Sequence, residues 1–170
     1  MSFSYETKNE LCRLPVQKLC CARAEAYGIL LYCNTFSATE VRVITENPNF
    51  AERLPKLFRR AFGLSFDRQP DKEQIEGKRI FQITDPRKLN HIINVLGYDP
   101  QQNLVLHINF AFMEEACDQA AFLRGAFFAG GSITDPQKRY HLELTTSHLQ
   151  VSREIESLLV ECGYPPKSLS

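Results

Sequence analysis

Two stretches of this chain are apolar or small at nearly every position: residues 22–36, ARAEAYGILLYCNTF, and residues 121–133, AFLRGAFFAGGSI. Both predict helices, over 16–32 and 116–129, that run into turn residues and then strands. Elsewhere the pattern is amphipathic. Residues 50–62 put Leu54, Leu57, Phe58 and Ala61 on one helical face and Arg53, Lys56, Arg59 and Arg60 on the other. Leu149–Cys162 reads as another amphipathic helix, stopped by Gly163. A short polar helix over 4–13, with Ser4 as N-cap, is broken by Pro15. Asp85-Pro86 opens a helix that reaches about Leu96 and is ended by Gly97. Strands are predicted over 36–46, Leu64–Arg68, Arg79–Thr84, Ser132–Thr134 and Tyr140–Thr145, the last two joined by the turn Asp135-Pro136-Gln137-Lys138. Asn47-Pro48-Asn49 reads as a turn, and residues 69–78 as a charged, exposed loop. Residues 98–115 connect the halves, with some helix among them.

Gly125 sits inside its helix, where glycine costs about 1 kcal/mol relative to alanine. A close backbone approach explains such a choice. Ala121, Gly125 and Ala129 are four residues apart and share one nearly bare face; Ala24 and Gly28 repeat the spacing in the first helix. Gly28 and Gly125 are 97 residues apart (125 − 28), as are Cys33 and Gly130. Each helix is followed by a strand-like run and an amphipathic helix. The simplest reading is a duplication, roughly 1–97 and 98–170, with two glycine helices packed at a pseudo-twofold axis against antiparallel sheets in an α+β fold.

Composition narrows the function. With 170 residues and 44% hydrophobic residues, the chain can bury one sizeable core or two small ones. Its formal net charge is zero, which counts against a surface coated for nucleic acid but leaves room for a local basic face. No apolar run reaches membrane length, and MSFSYETKNELCRL has no apolar signal region, so a cytoplasmic protein without membrane contact is expected. The six cysteines (Cys12, Cys20, Cys21, Cys33, Cys117 and Cys162) include no CxxC pair, adjacent Cys20-Cys21 is not a zinc-ligand spacing, and the four histidines supply none. Reduced, buried thiols and no metal or cofactor are the expectation. The polar end KSLS suggests that the native chain continues.

The run LRGAFFAGG at Leu123–Gly131 resembles the LAGLIDADG motif of homing endonucleases. The opening MSFSYETKNELCRL, the stretch CCARAE, the segment AFLRGAFFAGGSITDPQKRYHLEL and the helix VSREIESLLVECGY are similar to the N-terminal domain of the WhiA family of bacterial sporulation and cell-division regulators. That resemblance covers nearly the whole chain. It implies a duplicated α-β-β-α fold, a role in transcription regulation, cell division and chromosome segregation at the nucleoid, and a helix-turn-helix domain further along that reads DNA. It also implies that Gly28 and Gly125 are packing glycines, and that Cys33 and Gly130 occupy the positions where active LAGLIDADG enzymes place a metal-binding acid. Neither residue supplies a carboxylate, so no catalytic residues and no enzyme activity are expected. Glu25, Glu40, Asp135 and Glu143 read as solvated surface or turn acids.

In endonuclease relatives the outer face of the sheet meets DNA. The matching candidates are Arg42, Lys78, Arg79, Lys138, Arg139 and His141, with Tyr140, Leu142 and Leu144 facing inward. Acids at Asp67, Asp71, Glu73, Glu76 and Glu143 oppose such contact. Two other functions stay open: a protein-interaction or ligand-binding scaffold without DNA contact, and, less readily, an active nuclease. Because the helix pair closes on itself, a monomer is expected.

Overall fold

The computed structural model describes residues 2–16, 18–99, 101 and 104–168. Its elements run α1 (Phe3–Leu11), α2 (Leu19–Tyr32), β1 (Thr35–Phe36), β2 (Val41–Thr45), α3 (Pro48–Phe62), β3 (Arg79–Ile83), α4 (Pro86–Val95), α5 (Ala116–Gly130), β4 (Gly131–Ile133), β5 (Leu142–Leu144) and α6 (Leu149–Glu161). A 3-10 turn, Phe110–Phe112, lies between α4 and α5. Strands β1, β2 and β3 form one antiparallel sheet, and β4 and β5 another.

The duplication is visible in the strand register. α2 and α5 begin 97 residues apart. Phe36 pairs with Val41, and Ile133, 97 residues after Phe36, pairs with Leu142. The pair Thr35–Arg42 recurs as Ser132–Glu143. After the hairpin the offset becomes 101 (149 − 48), because the loop 134–141 is four residues longer than the loop 37–40. Each copy is therefore helix, strand, strand, helix. The first copy adds β3 and α4, whose inward Phe81 and Ile83 complete its core.

Phenylalanine fills that core. Phe58 packs on Phe62 and Phe66, Phe66 on Phe81, and Phe50 stacks on Phe128 across the two copies. Tyr27 anchors the connecting region. Its hydroxyl meets that of Tyr98 (2.6 Å), donates to the His107 carbonyl (2.8 Å) and accepts from the Asn109 amide (2.9 Å).

Several expectations change. Ser2, not Ser4, caps α1; Ser4 Oγ instead donates to the Ile133 carbonyl and accepts from its amide, tying α1 to β4. The predicted strand 36–46 is split by a turn at 37–40, held by Ser37 N to Glu40 O (2.9 Å). Asn47 is a helix N-cap rather than part of a free turn, accepting from the amides of Asn49 and Phe50. Leu64–Arg68 forms no strand beyond one bridge, Arg68 to Gln82. Tyr140 is 91% exposed because it lies in the longer hairpin loop, ahead of β5, where strand alternation does not apply. Leu142 is also exposed: among the described residues the second copy has no counterpart of β3 to extend the wall beside it.

Candidate functional site

α2 and α5 touch backbone to backbone. A Cβ on Gly28 would lie 2.1 Å from the Phe122 carbonyl oxygen and 2.8 Å from Ala126 N; one on Gly125 would lie 2.0 Å from the Glu25 carbonyl oxygen and 3.0 Å from Ile29 N. Residues 122 and 126 lie 97 beyond 25 and 29, so each helix makes the same contact on the other. That is an isologous interface inside one chain. Ala24 and Ala121, four residues before these glycines, are buried, and Ala129 is half-buried.

The pairing brings the C-terminal ends of the two helices side by side, where the resemblance places catalytic acids. A Cβ on Gly130 would lie 2.4 Å from the Thr145 carbonyl oxygen and 3.1 Å from both Tyr32 Cδ2 and Tyr32 O. The position thus lacks both a carboxylate and the room for one. Cys33 is buried, its thiol donating to the carbonyls of Leu30 (3.3 Å) and Thr35 (3.2 Å). Burial pushes that thiol up to about 12, so it is neutral near pH 7. Mg²⁺ takes oxygen ligands, and these two positions do not fit it. Gly130→Asp is expected to lower the melting temperature without creating Mg²⁺-dependent stabilisation or cleavage. Thermal unfolding with and without Mg²⁺ checks this.

Above this junction the helix pair encloses an ion cluster. Glu25 is fully buried, not a surface acid, and accepts a bidentate pair from Arg53 (Nε 2.8 Å, Nη2 2.9 Å) and a third bond from Arg124 Nε. Arg53, expected on the solvent face of its helix, is only 6% exposed. Its remaining Nη1 donates to the carbonyls of Cys12 (3.2 Å) and Leu14 (2.6 Å). One carboxylate therefore joins α2, α3, α5 and, through Arg53, the segment after α1.

The sheet surfaces sort the basic candidates. Arg42 is exposed and donates to Thr35 Oγ1 (3.2 Å). Directly opposed residues share a face, so Thr35, Arg42, Gln82 and Arg68 form one outward row across the first sheet. Arg68 is absent from the sequence candidates because its segment reads as a strand of unknown partner. Arg79 is a correction. It is 6% exposed, and its guanidinium donates to the carbonyls of Glu46 (2.9 Å), Ile75 (2.9 Å) and Gly77 (3.4 Å), pinning the charged loop rather than facing solvent. It has the same strand parity as Phe81 and Ile83, a signal already present in the sequence.

Lys78, Lys138 and Arg139 are exposed, the last two in the long hairpin loop. His141 Nε2 lies 3.0 Å from Glu143. Glu143 itself occupies the symmetry position of Arg42, so the two copies present opposite charges at matching places. Of the opposing acids, Asp67 is already engaged by Lys88 Nζ (2.7 Å) and the amides of Thr84 and Asp85.

Comparison with known proteins gives the lineage. Residues 119–169 match the WhiA LAGLIDADG-like domain. The probable cell division protein WhiA of Ruminiclostridium cellulolyticum is 33% identical over 166 residues, covering 94% of this chain and 53% of that protein. The chain belongs to the WhiA family. The probable cell division protein WhiA of Alkaliphilus metalliredigens is 30% identical over 171 residues, covering 94% of this chain and 54% of its own length. The chain thus spans about half the length of these WhiA relatives. The crystal structure of full-length DUF199/WhiA from Thermatoga maritima aligns with 95% of the chain and 50% of its own (TM-score 0.66, 18% identity). The crystal structure of the N-terminal LAGLIDADG domain of DUF199/WhiA aligns with 94% of this chain and 75% of its own, at the same score and identity. The fold is that of the WhiA LAGLIDADG domain. Among the described residues, no helix is long and apolar enough to cross a membrane.

Proposed function

We propose that this chain is the non-cleaving LAGLIDADG-like part of a WhiA-type transcription regulator, acting at the bacterial nucleoid in cell division and sporulation. It touches DNA weakly through the outer row of its first sheet, while a helix-turn-helix domain elsewhere in the protein reads the sequence. The observation that carries the non-cleaving reading is Gly130, where an added side chain has no space. The relatives' description as probable cell division proteins supports the cellular role. Arg42 and Arg68 favour phosphate contact. The opposite charge at Glu143 argues against a symmetric clamp and keeps the affinity low. The self-satisfied α2–α5 pair favours a monomer.

A second reading, a protein-contact scaffold, is favoured by the exposed Tyr140, Leu142, Leu149 and Tyr164 of the second copy.

Fluorescence anisotropy with duplex DNA at low and physiological salt, with Mg²⁺ present, separates the two. Binding should fade with salt and leave the DNA uncut. Arg42→Glu with Arg68→Glu should weaken it at least tenfold and flatten the log–log salt slope by about 0.9 for each phosphate that is no longer neutralised. No binding at low salt favours the scaffold, and cut DNA overturns the non-cleaving reading.

A further inference from the structure

We infer that Cys20, Cys21, Cys117 and Asp118 form a zinc site at the N-terminal ends of the paired helices. Their ligand atoms all lie within 4.8 Å of one another. Cys20 Sγ is 4.0 Å from Cys21 Sγ, and Cys117 Sγ is 3.9 Å from Asp118 Oδ1. A tetrahedral ion with Zn–S bonds of about 2.3 Å holds its ligand atoms about 3.8 Å apart. Small side-chain adjustments therefore close the site.

The arrangement follows from the pseudo-twofold axis. Cys20 and Cys117 are 97 residues apart, as are Cys21 and Asp118. Each helix contributes two consecutive residues from its first turn, and an ion between them takes two ligands from each copy. Asp118 is an independent pointer. It is only 5% exposed, yet among the described residues it has no ion-pair partner, and the side chains that meet its carboxylate are the thiols of Cys117 and Cys20. A buried carboxylate is ordinarily paired with a cation. The N-terminal ends of α2 and α5 also favour anionic ligands, and neither helix has a side-chain N-cap.

Three sulfurs and one oxygen select zinc over magnesium or calcium. All four positions are filled by protein, so the site is structural, with no open position for a reacting group. Binding releases the thiol protons, and the ion staples α2 to α5 at the end away from Gly130. Linear spacing hides the site, because adjacent Cys20-Cys21 cannot supply four ligands and the other two arrive from the second copy.

The test uses the reduced, chelator-stripped chain titrated with Co²⁺ and then Zn²⁺. One equivalent of Co²⁺ should produce intense tetrahedral visible bands with thiolate charge transfer, and Zn²⁺ should displace it and raise the melting temperature. Cys117→Ser and Asp118→Asn, confirmed folded by circular dichroism, should each weaken binding at least about 100-fold, beyond the usual cost of losing an outer-shell partner. Cys162→Ser, outside the cluster, should change nothing. Substoichiometric or octahedral cobalt binding, an unaltered Cys117→Ser titration, or a Cys20–Cys117 disulfide in place of the metal on peptide mapping would overturn the inference.

Discussion

Gly125→Ala is expected to destabilise the chain by about 2 kcal/mol or more, although alanine is the better helix former. Two effects compete. Helix propensity favours alanine by about 1 kcal/mol. Against it, the new Cβ would stand 2.0 Å from the Glu25 carbonyl oxygen and 3.0 Å from Ile29 N. Those are main-chain atoms, which cannot swing aside as a flexible side chain does. Overpacking a tight core costs about 1–3 kcal/mol and sometimes more, and rigid neighbours put this case at or beyond the upper end. At about 2–4 °C per kcal/mol, the melting temperature should fall by roughly 5 °C or more. Gly28→Ala should behave alike, since it meets the equivalent atoms of Phe122 and Ala126, and Gly125→Leu should cost several kcal/mol. Thermal unfolding decides the matter: a melting temperature that rises in Gly125→Ala would mean that propensity wins and the helices are not in backbone contact.

Glu25→Gln is expected to cost about 3–5 kcal/mol, because it leaves buried guanidinium charge without its carboxylate. The Arg53 side chain is only 6% exposed and held by carbonyls on its far side, whereas Arg124, at 18% side-chain exposure, can turn partly outward. Most of the penalty therefore belongs to Arg53. Replacing both partners, Glu25→Leu with Arg53→Met, should recover much of the loss, since an apolar pair of similar volume often matches a buried ion pair. Denaturant unfolding of the single and double variants measures the coupling. Equal stability of Glu25→Gln and the parent chain would contradict the buried-charge account. The double variant should also loosen the segment after α1, whose Cys12 and Leu14 carbonyls lose the Arg53 donor.

Much of this fold is legible in the sequence because its strongest signals are local or periodic. The caps at Asp85 and Gly97 lie within a few residues of what they terminate, and Gly97 adopts the positive φ (86°) that favours glycine. The small-residue spacing of Ala24–Gly28 and Ala121–Gly125–Ala129 records the helix contact directly, since only a bare face allows two backbones to meet. The hairpins are harder to bound. A four-residue turn and an eight-residue loop carry similar polar residues, so the strand limits at 36–46 and 140–145 shift once pairing partners are known. Arg79 is readable from strand parity, but Arg53 is not: on an amphipathic helix an arginine at the edge of the apolar stripe counts as polar until a buried acid is found to meet it.

The sequence by itself determined that two glycine helices pair, that the chain is duplicated around them, and that neither helix ends in an acid. Those properties depend on residue size, spacing and identity, which are written along the chain. Only the tertiary structure decided that Gly130 has no room for an acid, that Glu25 gathers Arg53 and Arg124 inside the core, that Arg42 and Arg68 share one row while Glu143 takes the matching place in the second copy, and that three cysteines and Asp118 converge. These arrangements join residues far apart along the chain, up to the 99 positions between Glu25 and Arg124. Which side chains meet across such distances depends on the packing of whole helices and sheets, and no local propensity encodes it.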